Sequence, residues 1–161
     1  MKGEKKEVKF SIKNIKYKIG FDLWGLLLFL VIMLTNFIWM AIPAPNDILR
    51  VSSITPIIDT IGSIFQVIFI LLMCILIRKD REKLNSLKTI IGMIIFVICY
   101  FIGWIFYYCG FTNSLIIVLL TIPPCLAFLL YTIDRKNVLA LISVTIFTVC
   151  HIIYGFVNYI I

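Results

Sequence analysis

The chain has little of what soluble enzymes use for catalysis. It contains one histidine, His151, and eight acidic residues among 161. A single histidine excludes the HExxH motif and any metal site built on several imidazoles. The sequence also lacks GxSxG, a Walker phosphate loop and GxGxxG. These absences favour a protein that is not an enzyme and that binds no cofactor.

CxxC pairs are also missing. The five cysteines are Cys74, Cys99, Cys109, Cys125 and Cys150. All but Cys109 fall inside apolar runs, where a free cysteine behaves as a small hydrophobic residue. We therefore expect neither a disulfide framework nor a metal site.

Hydrophobic residues are present in excess. They make up 62% of the chain, against about 45–50% in an average soluble domain. They form five runs: 21–42, 57–77, 89–108, 114–133 and 138–160. At about 1.5 Å per residue, a helix of about 20 residues crosses the roughly 30 Å hydrocarbon core. The sequence predicts an all-α integral membrane bundle of five transmembrane helices over residues 21–161, with the first run an uncleaved anchor.

The net charge of +7 is distributed unevenly. Seven of the fifteen basic residues lie in positions 1–18, five in 78–88 and two in the turn 134–137. Only Arg50 lies in the remaining segments between spans. Positive segments stay in the cytoplasm, which predicts an N-terminus inside and a C-terminus outside. Because the basic clusters flank apolar runs, they indicate topology and contact with anionic lipid headgroups, not nucleic-acid binding.

Segment 1–20 is basic and has two periodicities. Val8, Ile12, Ile15 and Ile19 recur at helical spacing, which is typical of a helix lying on the anionic cytoplasmic leaflet. Val8, Phe10 and Ile12 also alternate with polar residues as in a strand. A flexible positive tail is the third interpretation.

Alanine is scarce and isoleucine abundant, with 4 and 33 copies. That bias, together with frequent Lys, Phe, Tyr and Asn, is typical of proteins from AT-rich genomes. We interpret the chain as a multi-pass protein of a bacterial cytoplasmic membrane.

Polar residues within the spans are costly and usually face protein or water. Five of them lie in the predicted outer halves of three helices: Asn36, Asp59, Gln66, His151 and Asn158. They predict an outward-facing polar pocket beneath the loop 43–56. Its expected rim, or a contact for an anion, comprises Trp39, Arg50, Trp104, Tyr107, Tyr108 and Tyr154. The alternative is that the polar groups join helices and the aromatic residues form an interfacial belt.

Two further local features carry expectations. Asp47 and Arg50 are three apart and predict either a surface ion pair or an anion contact. Pro123 and Pro124 remove two backbone donors and predict a break in the hydrogen-bond ladder of the fourth helix, with a kink near mid-membrane. Gly103 predicts a close helix contact.

Residues 21–50, FDLWGLLLFLVIMLTNFIWMAIPAPNDILR, resemble a group of small multi-pass bacterial membrane proteins with no assigned activity. The segment WIFYYCG at 104–110 and Asn158 are loosely similar to the translocator-protein (tryptophan-rich sensory protein) family, which also has five spans. That family's Trp- and Pro-rich first loop is replaced here by IPAPNDILR, so no binding residue is transferred.

The expected function is that of a small-ligand or lipid binder, a small transporter or an accessory subunit. Its expected partners are the bilayer, a small amphiphilic ligand or another membrane protein. Two alternatives stay open. One is a membrane-embedded enzyme acting on a lipid-like substrate, and the other is a self-protection protein against a membrane-active peptide.

Overall fold

The computed structural model describes residues 9–12, 15–79 and 86–161. Within them lie five helices and three short strands. The helices are α1 (Leu23–Ala41), α2 (Pro56–Ile75), α3 (Leu87–Tyr108), α4 (Ser114–Asp134) and α5 (Val138–Tyr159). The strands are β1 (Lys9–Ile12), β2 (Ile15–Ile19) and β3 (Leu76–Arg78). Each helix has 19 to 22 residues and is apolar enough to cross a membrane, so the prediction of five such helices is confirmed.

The helix starts follow from local sequence. Four helices begin after a polar residue whose side chain accepts a hydrogen bond from the backbone N–H three residues later. The capping residues are Asp22, Ser86, Asn113 and Asn137. The second helix instead begins at Pro56, which lacks the N–H that a first turn leaves unpaired.

Successive helices run in opposite directions, so the bundle has two ends. We call the end that carries the three strands and the turn between α4 and α5 the sheet end. The opposite end carries the loop 42–55, the turn 109–113 and residues 160–161, and we call it the loop end. Contacts between helices are most extensive for α3 with α4, α2 with α5 and α4 with α5, while α1 contacts its neighbours more sparsely.

Two glycines permit the closest helix crossings. A Cβ added at Gly103 would lie 2.9 Å from the Leu119 Cβ, which confirms the predicted close contact. A Cβ at Gly155 would lie 2.7 Å from the Thr121 Oγ1. Both contacts bring a neighbouring helix against α4, the most enclosed of the five.

Two prolines lie inside the fourth helix, at the point where the sequence predicts a break in its hydrogen-bond ladder. Helix α4 continues through Pro123 and Pro124. The prolines leave the carbonyls of residues 119 and 120 without their usual donors, and the Thr121 hydroxyl does not replace them, since it donates to the Ile117 carbonyl at 2.7 Å. Dense packing around α4 holds the helix together despite two missing bonds, as neighbouring helices commonly do in membrane bundles.

The N-terminal segment forms strands in the residues described, so the interfacial helix is wrong for 9–12 and 15–19. The three strands make an antiparallel sheet in the order β1-β2-β3. Leu76 and Ile77, predicted as the end of the second span, pair with β2 instead. The Asn137 amide ends α2 by donating to the carbonyls of Leu72 and Leu76, at 3.0 and 2.8 Å. The predicted charged loop 78–88 lies largely outside the described residues.

At the sheet end, a buried ion pair joins the residue before α1 to the residue after α4. The Arg135 Nε donates to the Asp22 Oδ2 at 2.8 Å, and Arg135 Nη2 contacts the same oxygen. Both side chains are 5% exposed. Asp22 also caps α1, so one carboxylate fixes the start of α1 and the end of α4 together.

Candidate functional site

A cavity of about 340 Å³ lies inside the bundle, and all five helices contribute to its wall. Six of the residues predicted for the pocket or its rim line this cavity: Asn36, Trp39, Gln66, Trp104, His151 and Tyr154. The structure therefore brings together polar residues from α1, α2 and α5 that are far apart in sequence. Their role in binding stays a prediction.

Asp59 lies beside the main cavity, not in it. It lines a side groove of about 220 Å³ between α2 and α5. The Asp59 Oδ1 accepts a hydrogen bond from the Thr55 hydroxyl at 3.0 Å. Gln66, His151 and Tyr154 line both the groove and the main cavity, so they form the wall between the two.

Asn158 does not line either space. Its amide nitrogen donates to the Thr55 hydroxyl at 2.8 Å, and its amide oxygen accepts from the Ile54 N–H at 2.7 Å. These bonds tie the end of α5 to the loop before α2. Asn158, which was predicted to lie in the pocket, instead connects a helix to a loop.

Arg50 and Tyr107 also lie away from the cavity, in a hydrogen-bonded cluster around Asp47. The Asp47 carboxylate accepts from Trp39 Nε1 at 2.9 Å, from the Tyr107 hydroxyl at 2.8 Å and from Arg50 Nε at 2.8 Å. Arg50 Nη2 donates to the Trp39 carbonyl at 2.5 Å, and its guanidinium lies 4.9 Å from the centroid of the Trp39 ring. The Asp47–Arg50 pair is therefore part of a cluster that fastens the loop 42–55 to α1 and α3. Tyr108 also connects α3 to this loop, because its hydroxyl donates a hydrogen bond to the Ile42 carbonyl at 2.7 Å.

The electrostatics of this cluster favour an ionised Asp47. Burial alone would raise the pKa of Asp47, but the hydrogen bonds from Trp39, Tyr107, Arg50 and the Ala44 N–H together hold its pKa below the ordinary value of 3.8. The carboxylate is charged at neutral pH and keeps its bonds to all of these donors.

The main cavity has hydrogen-bonding groups that the protein leaves unused. Trp104 Nε1 is buried and has no hydrogen-bond partner. Within the described part of the chain, no hydrogen bond involves the side chain of Gln66 or His151. The His151 ring stacks between Phe147 and Tyr154, with centroids 5.1 and 6.4 Å away. The side chains of Gln66 and His151 are half-buried, so their polar atoms can pair with a polar ligand or ordered water in the cavity, whereas Trp104 Nε1 has almost no accessible surface.

No protein-family model, curated protein or solved structure matches this chain. The resemblances given above therefore stay expectations, and the candidate site rests on its own geometry. Among the described residues, no group of three or more His, Cys, Asp or Glu side chains is arranged to hold a metal ion.

Sequence reasoning missed Tyr100 and the bond between Asp47 and Tyr107. Tyr100 lines the cavity, and its hydroxyl accepts a hydrogen bond from the Asn36 amide at 2.8 Å. A signal was present, because Tyr100 and Trp104 are four residues apart and share a helix face. Asp47 was expected to pair with Arg50, but its bond to Tyr107 joins residues 60 positions apart and has no local signature.

Proposed function

We propose that this chain is a multi-pass protein of a bacterial cytoplasmic membrane that binds a small amphiphilic ligand in its main cavity. It acts as a binder, a small transporter or the accessory subunit of a larger membrane complex. The observation that carries the proposal is a cavity of about 340 Å³ lined by Gln66 and His151, whose side chains make no hydrogen bond within the described part of the chain. Ligand sites commonly have volumes of about 300–1,000 Å³, mostly apolar walls and a few placed polar groups.

The proposed orientation places the sheet end in the cytoplasm and the loop end outside. In the part of the chain that the structure describes, the loop end carries Arg50 as its basic residue. The sheet end carries eight basic residues: Lys9, Lys16, Lys18, Arg78, Lys79, Lys88, Arg135 and Lys136. This asymmetry supports an N-terminus inside and a C-terminus outside. Asn36 lies in the loop-end half of α1, which supports a cavity nearer to the external face.

Reporter fusions test this orientation. A fluorescent protein fused at Lys83 should be active in the cytoplasm, and alkaline phosphatase fused after Ile161 should be active outside. The reciprocal pair of fusions, with the two reporters exchanged, is the control and should be inactive at both sites. Locating both positions on one side of the membrane would contradict the five-span orientation.

Replacing Gln66 by Leu tests ligand binding. Native mass spectrometry of the wild-type protein, purified in mild detergent, should detect a bound small molecule of discrete mass. In Gln66→Leu we expect this occupancy to fall at least about tenfold, because the ligand loses its polar contact. The melting temperature should stay equal or rise, since the amide that is removed has no partner within the protein.

The matched control is Thr60→Val, which makes a polar-to-apolar change on the exposed surface of α2. It should keep the bound molecule. Equal occupancy in Gln66→Leu and Thr60→Val would exclude Gln66 from the site, and a wild-type protein without any bound molecule would count against the proposed function.

The side groove supports one alternative, a membrane-embedded enzyme acting on a lipid-like substrate. Asp59 and His151 both line that groove, and a carboxylate with an imidazole is a common acid–base combination. Mass analysis separates the two functions. An enzyme variant Asp59→Asn should accumulate unconverted substrate, whereas a binder should release the same molecule from the wild type and the variant.

A further inference from the structure

The main cavity has a closed side and an open side. Every residue that α3 and α4 contribute to its wall is buried. The other helices contribute residues that are more exposed. Met33 of α1, Gln66 of α2 and Tyr154 of α5 are half-buried, and Met40 of α1 is 66% exposed. The cavity wall therefore reaches the outer surface of the bundle on the side of α1, α2 and α5.

Helix α1 leaves a gap on that side in its loop-end half. Near the sheet end α1 and α2 are in close contact, since a Cβ added at Gly25 would lie 3.2 Å from the Met73 carbonyl oxygen. In the part of the chain that the structure describes, no hydrogen bond joins the second half of α1 to α2 or α5, and its side chains bond instead to α3 and to the loop 42–55. Met33 and Met40 are seven residues apart and lie on one face of α1, so both border the gap.

The cavity is closed towards α3 and towards the loop end. The hydrogen bond of 2.8 Å between Asn36 and Tyr100 joins α1 to α3. Leu49 lines the cavity from the loop before α2. Its N–H donates to the Tyr107 hydroxyl at 3.2 Å, and its carbonyl accepts from the Tyr159 hydroxyl at 3.3 Å. The loop is thus fastened to both α3 and α5 and covers the cavity at this end.

The gap lies at the depth of lipid acyl chains. Met33 follows the first residue of α1 by ten positions, or about 15 Å along the helix, which is half of the roughly 30 Å hydrocarbon layer. Phe37 and Val67, on the adjoining surfaces of α1 and α2, are exposed apolar residues. Hydrocarbon, not water, therefore surrounds a gap at this position.

We propose that the main cavity opens sideways into the bilayer, between the loop-end half of α1 and the helices α2 and α5, and that its ligand is a single-chain lipid with a small polar group that enters through this opening. This inference rests on the proposed function and specifies the class and source of the ligand. The chain packs against the apolar residues of α3 and α4, and the polar group pairs with Gln66 or His151.

Photolabelling within the membrane tests lateral entry. Wild-type protein in nanodiscs is irradiated with hexadecanol that carries a diazirine in mid-chain, and mass spectrometry maps the labelled residues. Cys125 and Val144 are 1% and 0% exposed, but only Cys125 lines the cavity. Labelling of Cys125 should exceed that of Val144 at least about tenfold, because a close-packed interior without a cavity excludes the probe. This comparison is made within one chain and does not depend on the folding of a variant.

Met33→Trp should narrow the opening and reduce labelling of Cys125 to near the level of Val144. Leu34→Trp is the matched control, since the neighbouring Leu34 is exposed on the same helix and does not line the cavity. It should leave the labelling unchanged. Photoleucine, a zwitterionic diazirine that stays in water, reports an opening to the aqueous phase and should not label Cys125.

Lateral entry would be overturned if hexadecanol labelled Cys125 no more than Val144, if photoleucine labelled Cys125 more strongly than hexadecanol, or if Met33→Trp and Leu34→Trp were labelled equally. The molecule detected by native mass spectrometry decides the proposed function separately. Its presence without lateral labelling would contradict the route and keep the binder.

Discussion

Replacing Asp22 by Asn should destabilise the protein by about 3–5 kcal/mol, the cost of removing one member of a buried ion pair. Asp22 and Arg135 are each 5% exposed, so the guanidinium left behind cannot regain its hydration without disturbing the packing. Arg135 Nη1 is already buried without a hydrogen-bond partner, and the substitution would leave the remaining nitrogens with a weaker acceptor. Equilibrium unfolding in detergent, followed by circular dichroism, measures the loss.

The double variant Asp22→Asn/Arg135→Met separates the charge effect from the loss of shape. Replacing a buried pair by uncharged groups of similar volume is often neutral or stabilising, so the double variant should recover most of the loss. Lys136→Met is the control, because Lys136 is an exposed neighbour and should change stability by no more than about 0.5 kcal/mol. A double variant as unstable as Asp22→Asn would show that the ion pair is not the cause.

Replacing Asp47 by Ala should cost about 2–4 kcal/mol and should release the loop 42–55. The substitution leaves the Tyr107 hydroxyl, which is fully buried, and Trp39 Nε1 without their acceptor. Hydrogen exchange should show faster exchange of the backbone amides in the loop, while α4 keeps its protection. Asn46→Ala is the matched control, since Asn46 makes one exposed bond to the Gly110 carbonyl and should cost less than about 1.5 kcal/mol.

The same cluster predicts a pH dependence with a definite sign. The folded protein holds the pKa of Asp47 below its ordinary value of 3.8, so the carboxylate contributes its full stabilisation above that value. The contribution is lost as the pH falls below 3.8 towards the folded-state pKa. The difference in stability between the wild type and Asp47→Ala should therefore be constant near neutral pH and shrink in acid. A difference that grows in acid would contradict the assignment.

Local sequence predicted the helices because their signals are local. Apolar runs of about 20 residues predicted the number of helices, and the capping residues Asp22 and Asn113 lie immediately before α1 and α4. The end of α2 was placed two residues too late. Its true end at Ile75 depends on β2 and on Asn137, which lies more than 60 positions away and caps its carbonyls. No local pattern encodes such a partner.

The sequence predicted how deep the pocket residues lie along the helices, but not which way their side chains face. Polar residues such as Gln66 and His151 stand out within apolar spans, and their positions along the helices gave their depth. Which way each side chain faces depends on how the helices are rotated against one another. That rotation turned Asp59 into the side groove and Asn158 onto the loop before α2. The unpaired Trp104 Nε1 results from three-dimensional packing and leaves no trace in the spacing of residues.

The Asp22–Arg135 pair also imposes an order on biogenesis. The two residues are 113 positions apart, and α1 is synthesised well before α4. At about 5–20 residues per second, the ribosome needs roughly 6–23 s to reach the arginine after it has passed the aspartate. During that interval the nascent first helix carries a carboxylate whose permanent counterion has not yet been made. The ion pair therefore forms only after the end of the fourth helix has been synthesised, and a chain interrupted before that point lacks the counterion of Asp22.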